Sequence, residues 1–203
     1  MTRKTTLSLI VGASLLVGWT TFAVAGSSGA MLAKRCEKCH GDKGNSDKDE
    51  VPSIAGFSSK YFIKTMKAYK RKKRLGKTFK PEGKKATDMN AIAKRLNNQK
   101  LNALGDYFAA QTFIPRSQYV DFGLASQGEV VYEKRCKKCH EDNGSNPDND
   151  TGILAGQWTP YLKSELDQFM SGERKIPKKM KKQLDKLVDG DIPAVLHFFA
   201  SQQ

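Results

Sequence analysis

Apolar residues recur at helical spacing in several stretches of the chain, and no stretch shows the sustained alternation of a β-strand. Proline stands near the start of two of them, at Pro160 and Pro193, where its fixed φ suits the first turn of a helix. The stretches are 28–34, 60–68, 102–111, 124–135, 160–169 and 191–202. This pattern predicts an all-α fold.

The second half of the chain repeats the first. Two Cys-x-x-Cys-His segments, 36–40 and 136–140, align at an offset of 100, and this offset holds as far as Tyr61 and Tyr161. Farther along the offset is 91, so the first half carries nine extra residues between about Arg71 and Met89. Self-similarity of this kind indicates duplication of a unit of roughly 80 residues. Further aligned pairs are Gly44 with Gly144, residues 54–56 with 154–156, Met89 with Met180, Leu96 with Leu187 and residues 107–111 with 198–202.

The ends of the two units follow from composition. Residues 112–119 contain Pro115 and no helical period, so we predict domains at 26–111 and 121–203 joined by a linker at 112–120.

The chain starts with a short basic segment, continues with an apolar run and reaches Ala23-Val24-Ala25, which predicts a secretory signal peptide at 1–25. A membrane anchor is the alternative, but the run contains several Gly, Ser and Thr residues and is marginal against the ~20 residues that a spanning helix needs. We therefore expect a periplasmic protein.

The chain is strongly basic. Its formal net charge is +14, and loss of Arg3 and Lys4 with the signal peptide leaves +12. Such a charge favours nucleic acid, anionic membranes or acidic proteins as partners, and export argues against nucleic acid. The stretch 67–85 is either a solvated surface or a docking patch for an acidic redox partner or a membrane surface. It contains Lys67, Lys70, Arg71, Lys72, Lys73, Arg74, Lys77, Lys80, Lys84 and Lys85, with Glu82 as its only acid.

The four cysteines form two Cys-x-x-Cys pairs, each followed directly by a histidine. Disulfides, the first expectation for an exported protein, do not explain these histidines. Zinc ribbons place their pairs about 15–20 residues apart, and thioredoxin-like motifs need a strand–helix–strand setting that the pattern lacks. Cys-x-x-Cys-His is the attachment signature of c-type haem. We predict two haem c groups, bound through Cys36, Cys39, Cys136 and Cys139, with His40 and His140 as iron ligands.

The sixth iron ligand should recur in both halves. Met89 and Met180 align with each other, and a soft thioether ligand favours ferrous iron and raises the reduction potential. We predict them as the second axial ligands. Met66 and Met170 are expected to fill the core. His197 has Asp106 as its counterpart and is expected at the surface or an interface.

The loop that passes the axial histidine is expected to contact His40 and His140 differently. Pro52 lies where its carbonyl oxygen could accept the Nδ1–H of His40, which would fix the ring and raise its basicity. The aligned residue in the second half is Gly152. We therefore expect two haems with unequal potentials.

The quoted residues resemble the dihaem cytochrome c4 family, in which two class I cytochrome c domains pack with their haems close together. The resemblance covers nearly the whole mature chain. The residues that show this resemblance are Gly41-x-x-Gly44-Asn45-Ser46, residues 52–56 and the ends of the two units at 107–111 and 198–202. It implies covalent haem attachment at the four cysteines, axial ligation by His40, Met89, His140 and Met180, and single-electron transfer without catalysis of its own.

The second half also resembles the cytochrome subunit of flavocytochrome c sulfide dehydrogenase, chiefly through residues 153–162, with Gly152 and the closing residues 200–203. This resemblance implies an alternative role as the electron-accepting subunit beside a flavoprotein. A dihaem peroxidase is a further alternative from another class, but it needs an exchangeable iron ligand, against which the paired methionines argue.

Overall fold

The computed structural model describes residues 24–81, 83, 85–148 and 150–203, and these residues form an all-α structure. Of the predicted signal peptide, residues 1–23 lie outside the described residues. The first half contains α1 (Val24–His40), α2 (Ser59–Lys70), α3 (Met89–Lys94) and α4 (Asn98–Ala109). The second half repeats them as α5 (Phe122–Val131), α6 (Thr159–Met170), α7 (Lys178–Leu184) and α8 (Asp191–Ser201). No helix in these ranges is long and apolar enough to cross a bilayer.

Each of the six predicted helical stretches corresponds to a helix, but α3 and α7 were not predicted. They have six and seven residues, too few for an apolar period to become visible. The start of α3 is fixed instead by a local bond, because the Asp88 side chain accepts a hydrogen bond from the backbone N–H of Ala91 at 2.8 Å.

The first and last helices of each half cross at a glycine. A Cβ atom on Gly29 of α1 would lie 2.6 Å from the carbonyl oxygen of Ala103 on α4. A Cβ atom on Gly128 of α5 would lie 2.0 Å from the carbonyl oxygen of Ala194 on α8. Both halves therefore use the same close backbone crossing. The Cys-x-x-Cys-His segment ends α1 in the first half, and in the second half it begins in the turn Tyr132–Cys136 that follows α5.

A single π-helical turn, Tyr132–Cys136, distinguishes α5 from α1. The glycines at the two crossings are 99 residues apart, whereas the cysteines are 100 apart, and the π turn supplies the extra residue. Tyr132 is fully buried, stacks on Phe198 with 4.8 Å between ring centroids, and donates a hydrogen bond to the carbonyl oxygen of His140 at 2.6 Å. The turn thus joins the second-half core to the loop that carries His140.

The cores of the halves are separate clusters with one exception. Ile153, a second-half residue, packs in the cluster of the first half around Phe62, Leu104 and Phe108. Met66 is 4% exposed in that cluster, as predicted. Met170, the last residue of α6, is 59% exposed, so the core role predicted for it is wrong. Apolar spacing defines a helix face but does not show how far along the helix the core extends.

Candidate functional site

The attachment residues lie at equivalent places in the two halves. Cys36, Cys39 and His40 occupy the last turns of α1. Cys136 ends the π turn, and Cys139 and His140 follow it. Burial raises the pKa of the Cys36 thiol to about 11, and burial also raises the pKa of the Cys136 thiol to about 11. Without the attached group, both thiols are therefore protonated at neutral pH.

His40 is held in one orientation by the loop at Pro52. Its Nδ1 lies 2.9 Å from the carbonyl oxygen of Pro52, so Nδ1 carries the proton and Nε2 keeps its lone pair. The side chain is buried, and burial lowers the pKa of His40, while the hydrogen bond to Pro52 opposes this. The contact predicted from the sequence is confirmed. A neutral, oriented imidazole is the state that binds iron.

His140 has no such acceptor. Its Nδ1 is buried, and no atom of the described residues accepts a hydrogen bond from it. Gly152 replaces the loop proline at a φ of +80°, a conformation closed to proline, so the chain passes His140 differently. The ring of Tyr61 occupies the space beside Gly152, where a Cβ would lie 2.8 Å from Tyr61 atoms. Burial lowers the pKa of His140 to about 4. The two imidazoles are therefore in unequal surroundings.

This donor set fits c-type haem. Each half places two thiols one helical turn apart beside a histidine that burial keeps neutral at physiological pH. Neutral imidazole and thioether-forming cysteines are the groups that hold haem c.

The two candidate methionine ligands lie on equivalent helices. Met89 starts α3 and packs against the first core, while Met180 lies on α7 and is partly exposed. Asn90 fixes the chain beside Met89, because its side chain accepts from Gly76 N–H and donates to the carbonyl oxygen of Tyr69. Their role as iron ligands stays a prediction.

Residues 153–162, a loop followed by the first turn of α6, lie on the boundary between the halves. The Gln157 side chain is fully buried and pairs with the main chain of Ser53, accepting from its N–H and donating to its C=O, each at 2.9 Å. Trp158 Nε1–H donates to the carbonyl oxygen of Ser46 at 3.0 Å. The apolar stretch that suggested a flavoprotein partner therefore makes contacts inside this chain.

The sequence predicted Arg74 within a basic stretch that is either a solvated surface or a docking patch, and both interpretations are wrong for Arg74 because the residue is buried. Arg74 is 3% exposed and lies on the boundary, with its guanidinium 2.8 Å from Tyr161 Oη and 2.7 Å from Glu165 Oε2. A run of basic residues does not show which of them turns inward. The repeat could have distinguished Arg74 from its basic neighbours, because Arg74 aligns with Arg174 at the same offset as the cysteines.

His197 lies at an interface within the second half, as expected. Its Nδ1 accepts a hydrogen bond from the backbone N–H of Asp121 at 3.1 Å, and its ring meets Tyr119 edge-on. His197 therefore connects the start of α5 to α8.

Comparisons with known proteins agree with this arrangement. The family model "Cytochrome c" matches residues 27–111, and the model "Cytochrome C oxidase, cbb3-type, subunit III" matches residues 123–198. A cytochrome c4 from Azotobacter vinelandii is 31% identical over 180 residues, which span 83% of this chain and 82% of that protein.

Solved structures of two relatives share the fold. Reduced recombinant cytochrome c4 from Pseudomonas stutzeri is 28% identical, has a TM-score of 0.70, and is matched over 86% of this chain and 97% of its own. Cytochrome c4 from Acidithiobacillus ferrooxidans is 26% identical, has a TM-score of 0.67, and is matched over 83% and 99% respectively. With two cytochrome c domains, two haem c groups and this similarity along most of its length, the chain belongs to the cytochrome c4 family of electron carriers.

Proposed function

We propose that this protein is a periplasmic dihaem cytochrome that passes single electrons between redox partners of a respiratory or sulfur-oxidising chain. A signal peptide at 1–25 would direct export, and domains at 26–111 and 121–203 would each hold one haem. In this proposal Cys36, Cys39, Cys136 and Cys139 form the thioethers, and His40, Met89, His140 and Met180 bind iron.

The observation that carries the proposal is the repeated Cys-x-x-Cys-His site, in which the Nδ1 side of each imidazole is buried and burial keeps the ring neutral. In the first half the Pro52 carbonyl holds the His40 proton on Nδ1 at 2.9 Å, which leaves Nε2 for iron. In the second half His140 is equally neutral but lacks this acceptor. Two sites of one chemistry and unequal surroundings suit stepwise passage of electrons.

The chain's own residues would orient the haem, shield it from water and tune its reduction potential, while the bound haem supplies a one-electron couple. The α1–α4 and α5–α8 crossings are closely packed, since the neighbouring core residues Phe108 and Phe199 are 0% and 5% exposed. Methionine sulfur would favour the reduced state and fill the last coordination position, leaving none for oxygen or peroxide.

Replacing Met89 or Met180 with alanine tests the ligand assignment. Each variant should lose about half of the weak long-wavelength absorption band that a sulfur–iron bond gives to ferric haem, because each haem would lose one sulfur ligand. The potential of the affected haem should fall, and peroxidase activity should rise as a coordination position opens.

Met170→Ala is the matched control, since the same residue type is removed from an exposed position. It should keep the full band. A full band in Met89→Ala or Met180→Ala would overturn the assignment of that methionine.

Partner docking is proposed at a basic groove on α2. The groove has a volume of about 720 Å³, and its lining combines cations with the apolar Ile63 and Ala68. Lys60 is engaged by Asp150 of the second half, whereas Lys64 and Lys67 line the groove without a salt bridge to any described residue. Charged rims around apolar centres are typical of steered, transient complexes. The full lining is Ser59, Lys60, Ile63, Lys64, Lys67, Ala68, Arg71 and Lys73.

The double variant Lys64→Gln/Lys67→Gln tests this groove. It should slow electron transfer with an acidic redox protein about tenfold at low ionic strength, and salt should reduce the difference, because steering is screened. Stopped-flow rates over a range of salt concentrations measure both effects.

The control, Lys100→Gln/Lys182→Gln, removes the same charge from exposed positions outside the groove. Equal slowing by both double variants would show that only net charge matters. Binding of the native protein, but not Lys64→Gln/Lys67→Gln, to anionic lipid vesicles would favour a membrane surface over a protein partner.

The role as a subunit of a sulfide-oxidising flavoenzyme stays an alternative prediction. Residues 153–162, which suggested this role in the sequence, make contacts between the two halves. Purification from the native source decides it, since flavin in fixed ratio to haem would support this alternative and haem without flavin would support the free carrier.

A further inference from the structure

The two axial histidines are oriented by different means. In the first half the carbonyl oxygen of Pro52 lies 2.9 Å from Nδ1 of His40 and fixes its ring. In the second half the buried Nδ1 of His140 finds no acceptor among the described residues, so no hydrogen bond of this kind fixes the His140 ring. The orientation of His140 therefore depends on the contacts that hold its main chain.

Tyr132 bonds that main chain at two points. Its hydroxyl group donates a hydrogen bond to the carbonyl oxygen of His140 at 2.6 Å, and its own carbonyl oxygen accepts one from the N–H of Lys137 at 3.0 Å. The second bond closes the π turn, because it joins residues five positions apart. One residue thus contacts both the interior and the end of the Cys-x-x-Cys-His segment 136–140.

The side chain of Tyr132 is held by its packing. It is fully buried, stacks on Phe198 with 4.8 Å between ring centroids and meets Phe199 edge-on at 5.9 Å. Both phenylalanines belong to α8, so the helix pair aims the hydroxyl group at His140. A buried hydroxyl group without a partner is costly, and the bond to the carbonyl oxygen removes this cost.

The first half uses its tyrosine hydroxyl group differently. The residue equivalent to Tyr132, four positions after the glycine at the helix crossing, is the buried Ala33, which has no side-chain donor. Tyr107 on α4 supplies a hydroxyl group instead and donates to the Glu37 carboxylate at 2.9 Å. In the described part of the chain, a tyrosine hydroxyl group therefore reaches the main chain of the axial histidine in the second half alone.

We propose that Tyr132 is a positioning residue of the second haem site, whose hydroxyl group orients the axial His140 through its main chain and raises the potential of that haem. It takes the place of the proline carbonyl that orients His40 in the first half. The inference rests on the proposed ligation of iron by His140. It goes beyond that ligation because it assigns part of the difference between the two sites to a residue outside the Cys-x-x-Cys-His segment.

The geometry fixes the sign of the effect on reduction potential. A hydroxyl donor places a partial positive charge beside the second site, and ferric haem carries one more positive charge than ferrous haem, so the donor disfavours the ferric state. Loss of the hydroxyl group also leaves the partial negative charge of the His140 carbonyl oxygen uncompensated. Both changes favour ferric iron, so Tyr132→Phe should lower the potential of the second haem and leave the first unchanged.

Redox titrations and electron paramagnetic resonance spectra of holoprotein variants test the proposal. In Tyr132→Phe one of the two low-spin ferric signals should shift, because its g values report the orientation of the axial ligands, and one potential should fall. Incorporation of 3-fluorotyrosine at position 132 makes the hydroxyl group more acidic and a stronger donor while the packing is retained. This protein should show the opposite change, a rise of one potential.

Tyr119→Phe is the matched control. It removes the same hydroxyl group from a tyrosine that is 80% exposed, just before the start of α5. Both ferric signals and both potentials should stay as in the native protein, because water replaces any hydrogen bond that an exposed hydroxyl group makes. A shift in Tyr119→Phe as large as that in Tyr132→Phe would overturn the assignment to Tyr132.

Unchanged signals and potentials in folded Tyr132→Phe would overturn the proposal and leave Tyr132 as a packing residue of the second core. If Tyr132→Phe does not accumulate, the fluorinated protein decides, since a potential that fails to rise overturns the proposal equally. The visible spectrum of each sample reports haem content. A native protein without two haems would contradict the proposed function, whereas two haems with unchanged potentials in the Tyr132 variants would contradict this inference alone.

Discussion

Replacing Gly128 with alanine is expected to destabilise the second half by about 3 kcal/mol or more, which places it among the most damaging single substitutions. The new Cβ would lie 2.0 Å from the carbonyl oxygen of Ala194 and 2.9 Å from the Cβ of Phe198. Because the first of these contacts is with backbone, rotation of a side chain cannot relieve it, and α5 and α8 must move apart. Unfolding of the holoprotein in guanidinium chloride, followed by circular dichroism, measures the loss.

Gly123→Ala is the matched control for Gly128→Ala. It adds the same methyl group to the same helix at a position whose nearest atom is the Asp121 carboxylate oxygen at 3.2 Å, and it should change stability by less than about 1 kcal/mol. Gly29→Ala should fall between the two, since its closest contact is 2.6 Å. Equal stability of Gly128→Ala and Gly123→Ala would contradict the close crossing.

Replacing Gln157 with alanine should cost about 2–4 kcal/mol and also shift the potential of the first haem. The substitution leaves the N–H and C=O of Ser53 unpaired in a buried place and opens a cavity. Ser53 follows Pro52, whose carbonyl orients His40, so a second-half residue would influence the first-half site. Thermal unfolding and a redox titration of the same sample measure the two effects.

Gln99→Ala removes an exposed glutamine from α4 and serves as the control for Gln157→Ala. It should leave both the unfolding temperature and the potentials unchanged. A Gln157→Ala protein with native stability and native potentials would contradict the assigned link between the halves.

The repeat was the most informative feature of the sequence for the fold. Cysteine spacing and apolar periodicity predicted the duplicated all-α architecture and six of its helices, because each of those helices is long enough to show a face. The short helices α3 and α7 could not be predicted in this way. The π turn at Tyr132–Cys136 was visible only as a one-residue change of offset between Gly128 and Cys136.

Local chemistry at the site was predicted better than contacts between the halves. The hydrogen bond from His40 to Pro52 followed from the position of a carbonyl twelve residues away in one loop. The boundary contacts of Arg74, Gln157 and Ile153 join residues that are about 90–105 positions apart or belong to the other half's core. Charge and hydropathy patterns define faces within one unit and carry no information on how two units pack.

An anaerobic redox titration of the purified holoprotein, followed by visible absorption, tests the central claim most directly. We expect two reversible one-electron steps at unequal potentials, because His40 is hydrogen-bonded to Pro52 while His140 Nδ1 finds no acceptor among the described residues. A titration that required only one haem per chain, or two identical steps, would contradict it.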